Sequence, residues 1–269
     1  MRFAANLSLL FTPDVCFKER CARVTSQGFQ YVELLFPYYQ PINTYAESLE
    51  EHGLQIVLVN TPIRPNEFGL AALPGQQTQF QSDFKWAVDT AQTLGAKSIH
   101  IMAGKTFNLP TEQWEQTLCQ NLEWALNYVQ GKNITLLLEP LNHYDVPGYA
   151  YSLPDQLRPI LDHFQSEQLR LQFDFYHTLK EKLPLVDTLR IMWPYIDHIQ
   201  FADPYGRHEP NLTEHPEIIH ALYELQALSY SGFLGCEYHP TTDFESSLHF
   251  LQSLQHIGLC TNPKGVACI

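Results

Sequence analysis

The chain is short of positive charge. Sixteen lysines and arginines face 29 aspartates and glutamates in 269 residues, for a formal net charge of −13. Nucleic acids and anionic membrane surfaces need basic side chains to neutralise their phosphates, so neither is an expected partner. Paired thiols are also missing. The six cysteines, Cys16, Cys21, Cys119, Cys236, Cys260 and Cys268, form no CxxC pair and no zinc-like spacing. A chain of this length buries a large core without staples, so reduced thiols in a cytoplasmic protein are expected. No run approaches the ~18 consecutive apolar residues of a membrane span. The opening MRFAANLSLLFTPD has its apolar stretch broken by Asn6 and Ser8, and it reads as a first strand rather than a secretory leader. No Pro/Ser-rich linker and no low-complexity segment divides the chain. One domain over residues 1–259 is therefore expected, followed by a tail, CTNPKGVACI (260–269), that is either a partner contact or a disordered end. A homo-oligomer is compatible with all of this.

What the chain does have is alternation. Short apolar runs occur at FAANL (3–7), YVELL (31–35), QIVLVN (55–60), SIHIMAG (98–104), ITLLLE (134–139), LRLQFD (169–174), HIQFAD (198–203) and LGCEY (234–238). Each precedes a stretch with helical periodicity or helix caps, near 14–27, 42–52, 76–94, 111–131, 154–164, 184–193, 214–228 and 243–257. In TEQWEQTLCQNLEWALNYVQG (111–131), Thr111 stands as an N-cap and Gly131 as a stop. Trp114, Leu118, Leu122, Ala125 and Val129 keep one face between them. Alternating βα units imply a parallel sheet, and eight of them in roughly 250 residues fit an α/β TIM (β/α)8 barrel of one domain. A doubly wound open sheet is the alternative that periodicity leaves open. The longest irregular stretch, TPIRPNEFGLAALPGQ (61–76), is expected to be a functional loop after the third strand.

The strand ends carry the chemistry. A carboxylate at the lip of an apolar strand, such as Glu139 in ITLLLEP, is costly without a partner. Strand six ends in Asp174, strand seven carries Gln200 and Asp203, and strand eight ends in Glu237. A closed barrel gathers such positions around its C-terminal mouth. Converging carboxylates repel one another unless some stay protonated or a cation lies between them. An all-oxygen set favours Mg²⁺ or Mn²⁺ over zinc. One strand-end acid alone is more often a helix N-cap or a solvated group, and Asp203 reads as an N-cap or a supporting residue. Four at successive strand ends read as the ligands of one ion: Glu139, Asp174, Gln200 and Glu237. His177, just past strand six, would lie over the same mouth as a substrate or proton-relay contact. His100 and His198 read as barrel-interior residues, and His143, His208 and His239 as weaker candidates. Lys105, in MAGKT without the phosphate-loop spacing, and Arg207 could each hold an anionic group. Trp86 and Trp114 read as packing residues.

Several of these stretches resemble one family. ANLSLLF (5–11), LLLEPLNHYDVPGY (136–149), LQFDFYH (171–177), HIQFADPYGRHEP (198–210) and GCEYHP (235–240) are similar to the hydroxypyruvate isomerase family. That family is a branch of the xylose-isomerase-like TIM barrels, which also hold sugar 3-epimerases and apurinic endonucleases. The resemblance runs from the first strand to the eighth. It implies metal ligands at Glu139, Asp174, Gln200 and Glu237 and substrate contacts by His177 and Arg207; Lys105 is added from its place at the mouth. Glutamine on strand seven resembles the isomerase branch, where epimerases usually carry histidine. The implied reaction takes hydroxypyruvate to tartronate semialdehyde through an enediolate, with Glu139 and Glu237 moving the proton. Alternatives are a 2-oxo-tetronate isomerase or sugar 3-epimerase, an apurinic-type metal endonuclease, and a barrel that binds a metabolite without turnover. Two loops depart from the family pattern. Phe68 stands where an arginine is common, and Asn211, Leu212 and Thr213 replace a Gly-rich turn after Glu209-Pro210. Glu209 and Glu214 carry no assigned role.

Overall fold

The eight apolar runs become eight parallel strands. A computed structural model describes residues 1–65 and 67–259, so the expected 260–269 tail lies outside the described residues. The strands are β1 (Arg2–Asn6), β2 (Tyr31–Glu33), β3 (Gln55–Asn60), β4 (Ser98–His100), β5 (Thr135–Leu138), β6 (Leu169–Asp174), β7 (Ile196–Phe201) and β8 (Phe233–Cys236). Each pairs with the next, and β8 pairs with β1, which closes the barrel. The open-sheet alternative is thereby removed. The surrounding helices are α1 (Phe17–Ser26), α2 (Ile42–Glu51), α3 (Gln77–Leu94), α4 (Thr111–Val129), α5 (Arg158–Phe164), α6 (Phe175–Lys180), α7 (Leu185–Met192), α8 (Pro216–Ala227), α9 (Phe244–Ser247) and α10 (His249–His256). The chain is a TIM barrel of one domain. No helix among the described residues is long and apolar enough to cross a membrane.

Strands buried on both faces read as continuous apolar runs because the helices cover the outside and side chains fill the inside. The outer layer packs against helix faces such as Trp114, Leu118, Leu122, Ala125 and Val129 of α4, all buried. A second, smaller cluster of Ala4, Val57, Leu58 and Leu137 is edged by Tyr31 and Phe233. Strands alone supply it, so it lies inside their ring. Above it the interior turns polar, with Asn6, Glu33, Gln172, His198 and Gln200 all buried.

Some elements differ from the reading of the sequence. Helix α4 starts behind Pro110 with no side-chain cap, so Thr111 is its first residue rather than its N-cap. The short helix α6 was not expected; the carboxylate of Asp174 caps it. The last expected helix breaks at Leu248 into α9 and α10. Strand β4 stops at His100 although apolar residues continue to Gly104. Those residues are buried by the loop after β3, not by strand pairing. Gly69 bridges Ala103 antiparallel, and the amides of Ala71 and Ala72 donate to the carbonyls of Met102 and Ala103.

Gly69 is required for that docking. Its φ is +104°, and a Cβ there would stand 2.0 Å from the Met102 carbonyl oxygen. Gly69→Ala is therefore expected to destabilise the chain by more than ~1 kcal/mol, read as a lowered urea midpoint. A midpoint equal to that of the unsubstituted chain would contradict the docking.

Candidate active site

Strand register assembles the acids. In the β6–β7 ladder Asp174 sits opposite Gln200, and in the β7–β8 ladder Gln200 sits opposite Gly235. Glu237 lies two residues beyond Gly235, on the same side of the chain. Glu139 follows β5 directly. All four side chains are buried at the C-terminal ends of their strands.

Asp174 does two things at once. Its Oδ1 accepts the amide of Tyr176 at 2.8 Å and starts α6, while its Oδ2 has no hydrogen-bond partner. Capping and site membership are thus not alternatives for this residue. Glu139 Oε1 likewise has no hydrogen-bond partner among the described residues, whereas Glu237 Oε2 is ion-paired with Arg207. Burial, aided by repulsion from Glu237 and Asp174, holds the Glu139 carboxyl well above the usual carboxylate range. Burial also lifts Glu237 to about 8 and Asp174 to about 6, with Arg207 opposing in both cases.

Two orphaned carboxylate oxygens, on Glu139 and Asp174, with the Glu237 carboxylate linked to Asp174 through Arg207, fit a hard divalent cation, whose preferred ligands are oxygens. The amide oxygen of Gln200, expected as a fourth ligand, accepts from Gln172 Nε2 at 2.6 Å. A nitrogen ligand is less suited. Glu139, Asp174 and His177 do bring potential ligand atoms within 4.8 Å of one another. Yet His177 Nδ1 accepts the backbone amide of Asn142 at 3.0 Å. A backbone N–H can only donate, so the neutral ring carries its proton on Nε2. Burial, followed by the Arg207 charge, lowers the His177 pKa well below its ordinary value and keeps the ring neutral. The protonated Nε2 faces Asp174 Oδ2 at 3.6 Å and Glu139 Oε1 at 3.9 Å. His177 presents a donor to the mouth, not a ligand lone pair.

Arg207 comes from the loop after β7, held at φ +56°. Its Nη2 lies 2.9 Å from Glu237 Oε2 and 3.8 Å from Asp174 Oδ2. Burial alone would lower its pKa, but Glu237, Asp174 and Glu139 raise it above its ordinary value. The guanidinium rests 4.9 Å over the Tyr176 ring. The Tyr176 hydroxyl donates to Asp145, whose carboxylate also takes the Asn142 side-chain amide. The stretch NHYD (142–145) therefore steadies both His177 and the ring beneath Arg207.

The remaining expected residues divide. His100 lines the interior, and its Nδ1 stands 3.2 Å from Glu139 Oε2. Burial pushes its pKa down to about 3, so it is neutral. His198 lies one layer deeper, against Glu33. Asp203 spends both oxygens on the amides of Tyr205 and Asn211 and shapes its own loop. Glu209 binds the amide and hydroxyl of Thr241. His143 pairs with Glu181, and His208 bonds the His239 carbonyl. Lys105 bridges Tyr149 through its backbone, and its Nζ lies 4.5 Å over the Phe68 ring. The lysine and the unusual phenylalanine thus meet each other. Two interior residues went unnoticed in the sequence, Glu33 and Gln172. Glu33 carries the same signal as Glu139, a carboxylate inside an apolar run. Gln172 sits two residues before Asp174 on the same strand face.

A closed parallel barrel with buried acids at its carboxyl mouth defines a class. Residues 21–254 match the xylose isomerase-like TIM barrel family, and the chain belongs to it. Within that class its relatives are more specific. The chain is 33% identical to the hydroxypyruvate isomerase of Escherichia coli (strain K12), with 93% of this chain and 98% of that protein covered. It is also 33% identical to the 2-oxo-tetronate isomerase of Cupriavidus necator, with 93% and 97% covered. An AP endonuclease, family 2, crystal structure from Brucella melitensis superimposes with a TM-score of 0.86 at 31% identity, covering 94% of this chain and 98% of that one. The chain belongs to the hydroxypyruvate isomerase family and is an isomerase.

Proposed function

We propose that the chain is a divalent-cation-dependent isomerase of short keto acids that interconverts hydroxypyruvate and tartronate semialdehyde. The observation that carries this reading is the pair of buried carboxylate oxygens without hydrogen-bond partners on Glu139 and Asp174, with the Glu237 carboxylate joined to them through Arg207. Glu139, Asp174, Gln200 and Glu237 would hold Mg²⁺ or Mn²⁺. When bound, the cation supplies a Lewis acid that polarises the keto group and offsets the charge of the enediolate.

The chain's own residues do the rest. One of Glu139 and Glu237 removes a proton from C3 of hydroxypyruvate, and the other returns one to C2. In the ion-free site burial holds both carboxyls above the usual carboxylate range. The hydroxyl proton moves from O3 to O2 in the same conversion, so the atoms balance. His177 donates its Nε2–H to a substrate oxygen. Arg207 pairs with the substrate carboxylate, and Lys105 adds positive charge at the rim. The partner is a small anionic metabolite. The formal charge of −13 argues against a DNA substrate.

Removing the carboxylate partner should act mainly on binding. Arg207→Met is expected to raise KM for hydroxypyruvate by roughly 10–100-fold, the worth of a hydrogen bond to a charged group, with a smaller fall in kcat. An unchanged KM would place the substrate carboxylate elsewhere.

A second reading is favoured by the Cupriavidus necator relative and by two mouth loops, those of Phe68 and of Asn211–Thr213. Under it the preferred substrate is a longer acid, a 2-oxo-tetronate. Initial rates over a panel of hydroxypyruvate, 2-oxo-tetronate and free ketoses test both readings. The larger kcat/KM on hydroxypyruvate is expected. A larger value on the four-carbon acid would select the second reading, and turnover of ketoses alone would overturn both.

A further inference from the structure

Beneath the mouth carboxylates lies a polar layer that the proposed chemistry does not use. At its centre is Glu33, the last residue of β2 and fully buried. Its Oε2 accepts the side-chain amides of Asn6 and Gln200, each at 2.9 Å. Its Oε1 lies 2.5 Å from His198 Nε2. Strand β8 leaves the space for it: a Cβ on Gly235 would stand 2.1 Å from Glu33 Oε1.

The layer has a fixed polarity. Asn6 Oδ1 accepts the backbone amides of Ser8 at 3.1 Å and Leu9 at 3.2 Å. Backbone amides can only donate, so Asn6 must turn its NH₂ toward Glu33. Glu33 Oε2 is therefore an acceptor on evidence independent of Gln200. An ionised Glu33 can only accept, so it also takes the NH₂ of Gln200. The Gln200 oxygen is left on the far side, where Gln172 Nε2 donates to it at 2.6 Å. An amide oxygen has two lone pairs, so one remains.

The orientation matters because a carboxamide has two unlike ends. The oxygen end can ligate a hard cation and the NH₂ end cannot. A free glutamine could present either. We propose that Glu33 is a positioning residue that locks the Gln200 carboxamide with its oxygen available to the divalent cation. The inference rests on the proposed ion site and assigns a role to a residue that touches neither ion nor substrate. Supporting groups of this kind commonly set metal affinity by orienting ligands.

Mn²⁺ binding tests it without any activity measurement. Free Mn²⁺ is followed by its electron paramagnetic resonance signal during titration of the metal-free chain. Glu33→Gln replaces an acceptor-only group by one that can also donate, so Gln200 is no longer held one way round. Affinity is expected to fall by roughly 10–100-fold. Gln200→Glu sets two carboxylates face to face and is expected to weaken binding too, although it adds a negative ligand. The double variant restores one donor below and oxygens above, and most of the lost affinity should return. Glu33→Gln with unchanged affinity, or a double variant no better than the singles, would overturn the inference. Should Glu33→Gln fail to fold, a Mn²⁺-loaded crystal structure of the unsubstituted chain decides. Gln200 is expected in the coordination shell through oxygen with its nitrogen still on Glu33; Gln200 outside the shell overturns the inference. No Mn²⁺ uptake by the unsubstituted chain is a distinct outcome, and it overturns the ion site together with this role.

Discussion

Glu139→Gln and Glu237→Gln are each expected to lower turnover of hydroxypyruvate by roughly 10²–10⁴-fold, the range for loss of a positioned acid or base. The amide keeps the volume of the side chain and cannot exchange the proton. Stability should move the other way for Glu139. Its carboxyl is buried, lies near two further acids, and holds its proton more tightly folded than unfolded. The sign follows from linkage. Below the unfolded pKa, near 4.3, both states are protonated and the carboxyl contributes its full share. As the pH rises, the unfolded state loses the proton first, and stability falls until the folded group also ionises. Replacing Glu139 by glutamine removes that loss. The metal-free variant should therefore melt higher than the unsubstituted metal-free chain at pH 8, with little difference at pH 4. Near-normal turnover in either variant would contradict the catalytic roles. A lower melting temperature of Glu139→Gln at pH 8 would contradict the description of Glu139 as a carboxyl buried among further acids.

The second large effect concerns the cation. Chelation is expected to abolish turnover, and Mg²⁺ or Mn²⁺ to restore it. Ion present at about 100 times its Kd should stabilise the fold by ~2.7 kcal/mol. That gain should grow with pH. Ligands must be deprotonated to bind, and Asp174 and Glu237 hold their protons up to about 6 and about 8. Stability from these two acids in the metal-free chain is greatest at low pH. It declines as the pH rises from the ordinary carboxylate range toward those values. In the loaded chain, acidification instead drives the ion off. Melting temperatures with and without Mg²⁺ should thus diverge from pH 5 to pH 8. A gap that is constant or that narrows with rising pH would contradict the assignment of these acids to the site.

Much of this was legible in the sequence because strand and helix have different periods and because burying an acid is costly. Glu139, Asp174 and Glu237 stood out as carboxylates where apolar runs end, and the closed barrel does bring them to one mouth. The same logic applied to Glu33 and was missed, because Glu33 is followed by more apolar residues rather than by a visible strand end. Those residues, Leu34 and Leu35, lie beyond β2 and are buried by tertiary packing. The apolar stretch past His100 misled in the same way, since its cover is a loop distant in sequence. Asp174 shows why a single residue resists one label: one oxygen caps a helix while the other faces the cluster. The protonation of His177 could not be read from spacing at all. It depends on a backbone amide 35 residues earlier. The meeting of Lys105 with Phe68 was equally hidden, because only the docked loop after β3 joins them.

The most direct measurement is proton NMR of hydroxypyruvate in D₂O with the metal-stripped chain, then with Mg²⁺ restored. The expected result is tartronate semialdehyde that appears only after Mg²⁺ is added and carries solvent deuterium at C2. Unchanged hydroxypyruvate, in protein shown to bind the ion, would contradict the proposed reaction. Equal conversion in the presence of chelator would contradict the role of the cation.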